Sequence, residues 1–231
     1  MDTEQIDAGG RIVVPYLRAA GVSRLDGMIV SHDDSDHSGG ALSILQAMPV
    51  EWLASSLPPD HAIRMAATRS RFCNAGERWV WDGVSFEFLH PQAREYNDAD
   101  TKDNDRSCVL RVVSAYGSVF LPGDIEKRSE LRLLQSPETL RADVLIAPHH
   151  GSRTSSTPEF VRAVLPGLAV FSVGYRNRFG HPHPAVVARY RHSGSRMLRT
   201  DLSGALLIGM SPAGVEARSW REVDRKYWAG R

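Results

Sequence analysis

The sequence predicts an α/β fold built on a mixed sheet. Apolar strand-like runs alternate with stretches of helical periodicity. Two hairpin signals then interrupt that alternation in mid-chain, which a purely parallel, doubly wound sheet would not show. A third observation concerns chemistry: three separate apolar runs, "MIVSH", "VFLPGD" and "VLIAPHH", end in residues of metal-ligand type.

The elements follow in order. "RIVVPYLRAAG" predicts an amphipathic helix with Val13, Leu17 and Ala20 on one face and Gly21 at its end. "LDGMIVSH" is a short apolar strand, "GGALSILQAM" the helix after it, "VEWLAS" a second strand, and "PPDHAIRMAATRSRF" a further helix. "RWVWDGVSFEFLHP" is a hairpin, because Asp82-Gly83 suits a tight two-residue turn. "SCVLRVVSAYGSVFLPGD" is a second hairpin, turning near Tyr116-Gly117 and ending at Asp124. The polar segment 96–107, "YNDADTKDNDRS", is a loop. "DVLIAPHHGS" and "LAVFSVG" are buried strands, "PEFVRAVLPG" and "PAVVARYRHSG" helices, and "GALLIGM" a late strand. "WREVDRKYWAG" closes the chain as a charged tail with two tryptophans.

The bulk numbers bound the class. At 231 residues, 42% hydrophobic and 24% charged, the chain has enough apolar residues for a real core. We read it as one domain over 1–231 with a charged tail at 218–231. A formal net charge of +1 argues against a polybasic nucleic-acid binder, but not against an enzyme with one local basic groove. No stretch approaches the roughly 18–20 apolar residues that cross a bilayer. "MDTEQIDAGGRIVV" has neither the basic nor the apolar part of a secretion signal. Cys73 and Cys108 form no CxxC pair, which argues against a zinc–thiolate site; they read as two buried thiols, or as one disulfide in an oxidising compartment.

Four motifs carry chemistry. In "SHDDSDHSGG", His32, Asp34, Asp36 and His37 follow an apolar strand, where a tight turn aims imidazole and carboxylate at one point. That donor set suits zinc, manganese or iron, and its carboxylates shift it toward manganese. The competing reading is a polar loop in which Ser35 or Asp36 caps the next helix. Asp124 alone would be a turn residue, but beside the first motif it is the natural carboxylate bridge between two ions.

In "APHHGSRTSS", an extended backbone would send His149 and His150 to opposite sides, so one faces the metal and the other a neighbour or substrate; His150 is the favoured ligand. In "GYRNRFGHPHP", Arg176 and Arg178 suit phosphate, and His181 or His183 could serve a leaving oxygen, against the alternative of a proline-rich turn. Asn104 or Asp105 would be at most a weak oxygen ligand.

Together these motifs resemble the metallo-β-lactamase superfamily, with His32, Asp36, His37, Asp124 and His150 in the family's order. Asp34 stands where the family has a second histidine, and Asn104 or Asp105 lies near the place of another; these departures argue against a β-lactam hydrolase. "SHDDSDHSGG", "NDRSCVL", "LPGDIE", "PHHGSRTSS" and "GYRNRFGHPHP" are similar to the C-terminal extracytoplasmic domain of the ComEC/Rec2 family of DNA-uptake channels, from about Asp7 to Trp228.

The resemblance implies an αββα sandwich that lacks its first N-terminal strands, with Cys73 and Cys108 joined outside the cytoplasm at the periplasmic face of the inner membrane. It implies a nuclease that degrades the non-transported single strand, working beside a membrane channel domain. Two divalent ions, Mn2+ or Zn2+, would be held by His32 and Asp34, by Asp36, His37 and His150, and by a bridging Asp124. Water activated by the ions would be the nucleophile, and His183, with His181, would serve the leaving group. His149, Ser152, Arg153, Arg176, Asn177, Arg178 and Asn104 would touch substrate. The alternatives are a hydrolase of another phosphoester or ester, and an inert DNA-binding or assembly module.

Overall fold

The computed structural model describes residues 7–136 and 138–223. The last part of the expected charged tail, including Trp228, lies outside the described residues. The described chain divides into two compact units: residues up to Ala75 with His90–Cys108, and Gly76–Leu89 with residues from Val109 onward.

The first unit is built on three short parallel strands, β1 (Met28–Val30), β2 (Leu53–Ser55) and β3 (Ser70–Phe72), in that order. Helices α1 (Val14–Ala19), α2 (Ser35–Ser38), α3 (Ala41–Ala47) and α4 (Ala62–Ala66) connect or flank them. Val30, Ala41, Leu53, Leu57 and Ile63 form the core. A Cβ on Gly9 would lie 2.0 Å from the carbonyl oxygen of Gly40, so only glycine permits this backbone contact at the start of α3.

Two expectations are corrected in this unit. The face of the first helix is Val14 with half-buried Leu17, while Val13 and Ala20 are exposed. The cause is a π-helical turn over Gly9–Val13, whose extra residue rotates the buried stripe. Gly21 ends the helix at φ +78, as expected. "PPDHAIRMAATRSRF" is helical only over Ala62–Ala66, and its last residues form β3 against β2. The switch follows from pairing: Ser70, Arg71 and Phe72 align with Leu53, Ala54 and Ser55.

Cys73 and Cys108 are joined, with Cα atoms 5.7 Å apart, so the reading of two free thiols is set aside. The bridge closes the polar segment against β3. Inside that segment, short 3-10 turns occupy Ala93–Asn97 and Asn104–Arg106. The hydroxyl of Tyr96 donates to the carbonyl of Cys73 at 2.6 Å, and His90 Nε2 lies 2.7 Å from the carbonyl of Asp105.

The second unit carries a seven-stranded mixed sheet. Its strands are β4 (Arg78–Trp81), β5 (Val84–His90), β6 (Val109–Ser114), β7 (Gly117–Leu121), β8 (Val144–Ile146), β9 (Leu168–Phe171) and β10 (Arg196–Arg199). The spatial order runs β10-β9-β8-β7-β6-β5-β4. β4/β5 and β6/β7 are antiparallel, and β7 to β10 are parallel. Asp82 and Gly83 turn the first hairpin at φ 47 and 79, the geometry a two-residue turn requires. A separate ribbon pairs β11 (Leu206–Ser211) with β12 (Gly214–Ser219).

Helices α5 (Lys127–Leu134), α6 (Pro158–Val164) and α7 (Pro184–His192) complete this unit with the short α8 (Thr200–Ser203) and α9 (Trp220–Val223). Phe120, Ile125, Phe160, Phe171 and Tyr190 pack its core. The fully buried Glu130 of α5 accepts the N–H groups of Ser156 and Thr157, which fixes the entry to α6. Burial holds its carboxyl above the usual carboxylate range. No helix among the described residues is long and apolar enough to cross a membrane.

Candidate metal centre

In the first unit the candidate ligands sit directly after β1. His32 is fully buried, and its Nδ1 lies 3.0 Å from the hydroxyl of Ser31 and 3.3 Å from that of Ser107. Its Nε2 is 3.4 Å from the Oδ2 of Asp34. His37 Nδ1 lies 3.1 Å from the same Ser31 hydroxyl, and the two ring centroids are 4.2 Å apart. One serine oxygen therefore bridges both Nδ1 atoms. It has two lone pairs, so it can accept from two Nδ1–H groups and leave both Nε2 atoms as ligand lone pairs. Fixing the tautomer from behind in this way is what metal-ligating histidines require. Asp36 Oδ2 lies 3.8 Å from His37 Nε2.

Capping by Ser35 or Asp36 is not what this turn shows. Asp34 holds the N-cap position of α2 without a side-chain cap bond, and its carboxylate lies beside His32 instead. Asp33 turns away, 3.1 Å from His61 Nε2. Asn104 opens the 3-10 turn just before Ser107, and Asp105 is buried. Ser31 and Ser107 were missed from sequence, since a serine beside a histidine carries no distinctive pattern.

In the second unit, Asp124 lies buried between β7 and α5. Its Oδ2 is 3.4 Å from His150 Nε2 and 3.8 Å from His149 Nε2. The expectation that the two histidines diverge is corrected. Their backbone is not extended: both residues adopt left-handed φ of 48 and 54, so the alternation of a strand does not apply and both rings reach Asp124. His150 Nδ1 is 2.7 Å from the carbonyl of Ser172 and must carry the hydrogen there, which leaves Nε2 as a ligand atom. His149 Nδ1 lies 3.4 Å from Glu126, a carboxylate not anticipated from sequence.

The turn itself is tightly held. A Cβ on Gly151 would lie 2.7 Å from Pro182 and 2.8 Å from the Phe171 ring, and φ is +82 there. Ser152 is buried, its hydroxyl 3.0 Å from that of Thr154, whereas Arg153 is exposed.

The "YRNRFGHPH" loop lies between β9 and α7. Asn177, expected on substrate, braces the loop: its amide accepts from His181 N–H at 2.9 Å and donates to His181 C=O at 2.8 Å. His183 is the N-cap of α7, its Nδ1 accepting from Ala185 N–H at 3.2 Å. The ring centroid of His181 is 5.8 Å from that of His149 and 6.5 Å from that of His150. Burial, then the neighbouring His149 and His150, hold its pKa below the usual histidine value, so its ring is neutral at pH 7. Arg176 and Arg178 are exposed.

Each unit thus presents histidines whose Nδ1 atoms are engaged and whose Nε2 atoms face carboxylates. The donor set, imidazole nitrogen with carboxylate oxygen, fits a divalent metal ion.

The fold is α/β, with a mixed sheet. Among solved structures, 77% of the chain superposes on 44% of CmlA, a diiron β-hydroxylase from Streptomyces venezuelae, at 16% identity and a TM-score of 0.52. That likeness is one of fold alone. The metallo-β-lactamase fold protein YhfI from Bacillus subtilis aligns over 80% of this chain and 79% of its own, at 13% identity and a TM-score of 0.45. No protein-family model matches.

Over one segment of their length, curated proteins named for competence and recombination are similar to this chain. It is 42% identical over 228 residues to competence protein ComA of Neisseria gonorrhoeae, covering 98% of this chain and 31% of that protein. It is 34% identical over 218 residues to recombination protein 2 of Haemophilus influenzae, covering 94% and 26%. The chain therefore spans less than a third of the length of these relatives.

Proposed function

We propose that the chain is a metal-dependent phosphodiesterase that degrades DNA, acting on the non-transported single strand during uptake through a membrane channel domain. The observation that carries this reading is the support at Nδ1 of three candidate ligands: the Ser31 hydroxyl behind His32 and His37, and the Ser172 carbonyl behind His150. Surface histidines have no need of such support. The relatives named for competence and recombination supply the link to DNA.

In this reading His32 and Asp34 serve one ion, Asp36, His37 and His150 the other, and Asp124 is shared. Two divalent ions, Mn2+ or Zn2+, would polarise the phosphodiester and lower the pKa of the attacking water. The chain's own residues do the rest. Glu126 orients His149. Asn177 holds His181, whose ring is a hydrogen-bond partner for the leaving oxygen. His183 keeps its Nε2 available because the cap of α7 uses Nδ1. Arg153, Arg176 and Arg178 are placed on the phosphate backbone, Ser152 and Asn104 behind the substrate-facing turns. The setting is extracytoplasmic, where the Cys73–Cys108 bridge is stable.

The test is release of label from single-stranded DNA by the purified chain with manganese, with zinc and with chelator. Metal-dependent release that Asp124→Ala abolishes supports the reading. Release insensitive to chelator contradicts it. Metal-dependent turnover of a small phosphodiester with none of DNA would favour the alternative, a hydrolase of another phosphoester.

A further inference from the structure

The loop between β9 and α7 carries two large aromatic side chains in water: Tyr175 is 67% and Phe179 69% exposed. Single exposed aromatics are ordinary. Here each ring also has a guanidinium over it. Arg176 lies 5.2 Å and Arg221 5.9 Å from the Tyr175 centroid, and Arg178 lies 5.1 Å from the Phe179 centroid. Residues 172–183 contain no Asp or Glu. The loop is held in shape by the two Asn177–His181 bonds, so the rings are presented from a braced backbone.

The rings also lead somewhere. Phe179 stacks on His181 at 6.0 Å and 17°, and His181 stacks on His150 at 6.5 Å and 23°. A near-parallel series of three rings thus runs from solvent to a candidate ligand beside Asp124.

We propose that Tyr175 and Phe179 form a stacking platform for the unpaired bases of a single nucleic-acid strand, with Arg176 and Arg178 neutralising its phosphates. Alternating cations and aromatic faces are the chemistry that binds single strands without sequence preference. A duplex keeps its bases stacked on one another and has no free faces to offer. The inference rests on the phosphodiesterase reading only in that the strand so held is the one led toward His181 and His150.

The experiment is fluorescence anisotropy of the whole chain in chelator, where binding is read without turnover. The probes are a labelled thymidine oligonucleotide of about 20 nucleotides, an abasic strand of equal charge and length, and a duplex. The wild type is expected to bind the thymidine strand at least about tenfold more tightly than the abasic one, since each stacked base contributes roughly five- to a hundredfold. The double variant Tyr175→Ala/Phe179→Ala should lose that preference and keep both its affinity for the abasic strand and its circular dichroism. Tyr175→Trp should retain the preference.

Equal binding of thymidine and abasic strands by the wild type overturns the proposal, as does tighter binding of the duplex or an equal loss on both single strands in the double variant. Wild-type chain that cleaves single strands yet ignores bases keeps the proposed function and loses this inference. Base-dependent binding without any cleavage does the reverse.

Discussion

The backbone N–H of Cys108 donates to the carbonyl of Ser31 at 3.0 Å, directly behind the hydroxyl that lies against the rings of both His32 and His37. Cys108 of the bridge and the serine behind two candidate ligands are therefore one hydrogen bond apart. Ser31 C=O also accepts from Ser56 at 2.6 Å. The disulfide, the end of β1 and the ligand turn form one mechanical unit.

Reducing that bridge should cost stability. With the cysteines 35 positions apart in sequence, loop-closure entropy predicts about 3–4 kcal/mol. Urea unfolding with and without reductant, or of Cys73→Ser/Cys108→Ser, measures it. An unchanged midpoint would show that the bridge does not constrain the unfolded chain.

Replacing Ser31 with Ala should weaken metal binding by about 10- to 100-fold, because the hydroxyl shared by the Nδ1 atoms of His32 and His37 is removed. The fold should persist. Calorimetric titration with zinc or manganese reads the affinity. Wild-type affinity in the variant would mean that the serine does not set the tautomers.

The motifs were legible because the ligand residues cluster at strand ends, and the two hairpins because Asp82-Gly83 and the Tyr116-Gly117 region punctuate them. Element positions held wherever apolar runs were clear, as for β8 and β9. Several elements left no such signal. β10 and β12 are half polar, α5 begins in "EKRSE", and β3 is three residues that become a strand only by pairing with β2. His149 and His150 were misjudged because left-handed backbone in consecutive histidines has no sequence signature; only Gly151 beside them hinted at a tight turn. Glu126, Ser31 and Ser107 act through position rather than residue type. The shape of the first helix was hidden because nothing in "GGRIV" announces a π turn.

Gly151→Ala should destabilise the second unit by about 2–4 kcal/mol, from left-handed strain plus the clash with Phe171 and Pro182. Thermal unfolding gives the value. A variant as stable as the wild type would mean that the turn relaxes freely.

Glu130 gives a pH dependence with a definite sign. Its folded pKa is raised above the ordinary 4.5, chiefly by burial. The contribution is thus fully present below the unfolded pKa and is lost as pH rises through the folded value. The stability difference between wild type and Glu130→Gln should favour the wild type most near pH 4 and shrink toward neutral pH. Gln also sets an amide NH2 against the Ser156 and Thr157 donors, a penalty of about 1–3 kcal/mol. A gap that widens with rising pH, measured by denaturant titration across that range, would contradict the assignment.

The most direct measurement is degradation of end-labelled single-stranded DNA by the purified chain, with chelator, with manganese and with zinc, beside a well-folded Asp124→Ala control. The account predicts cleavage that requires a divalent ion and disappears in the variant. Cleavage that survives in Asp124→Ala, or none from wild type carrying two bound ions, would contradict it.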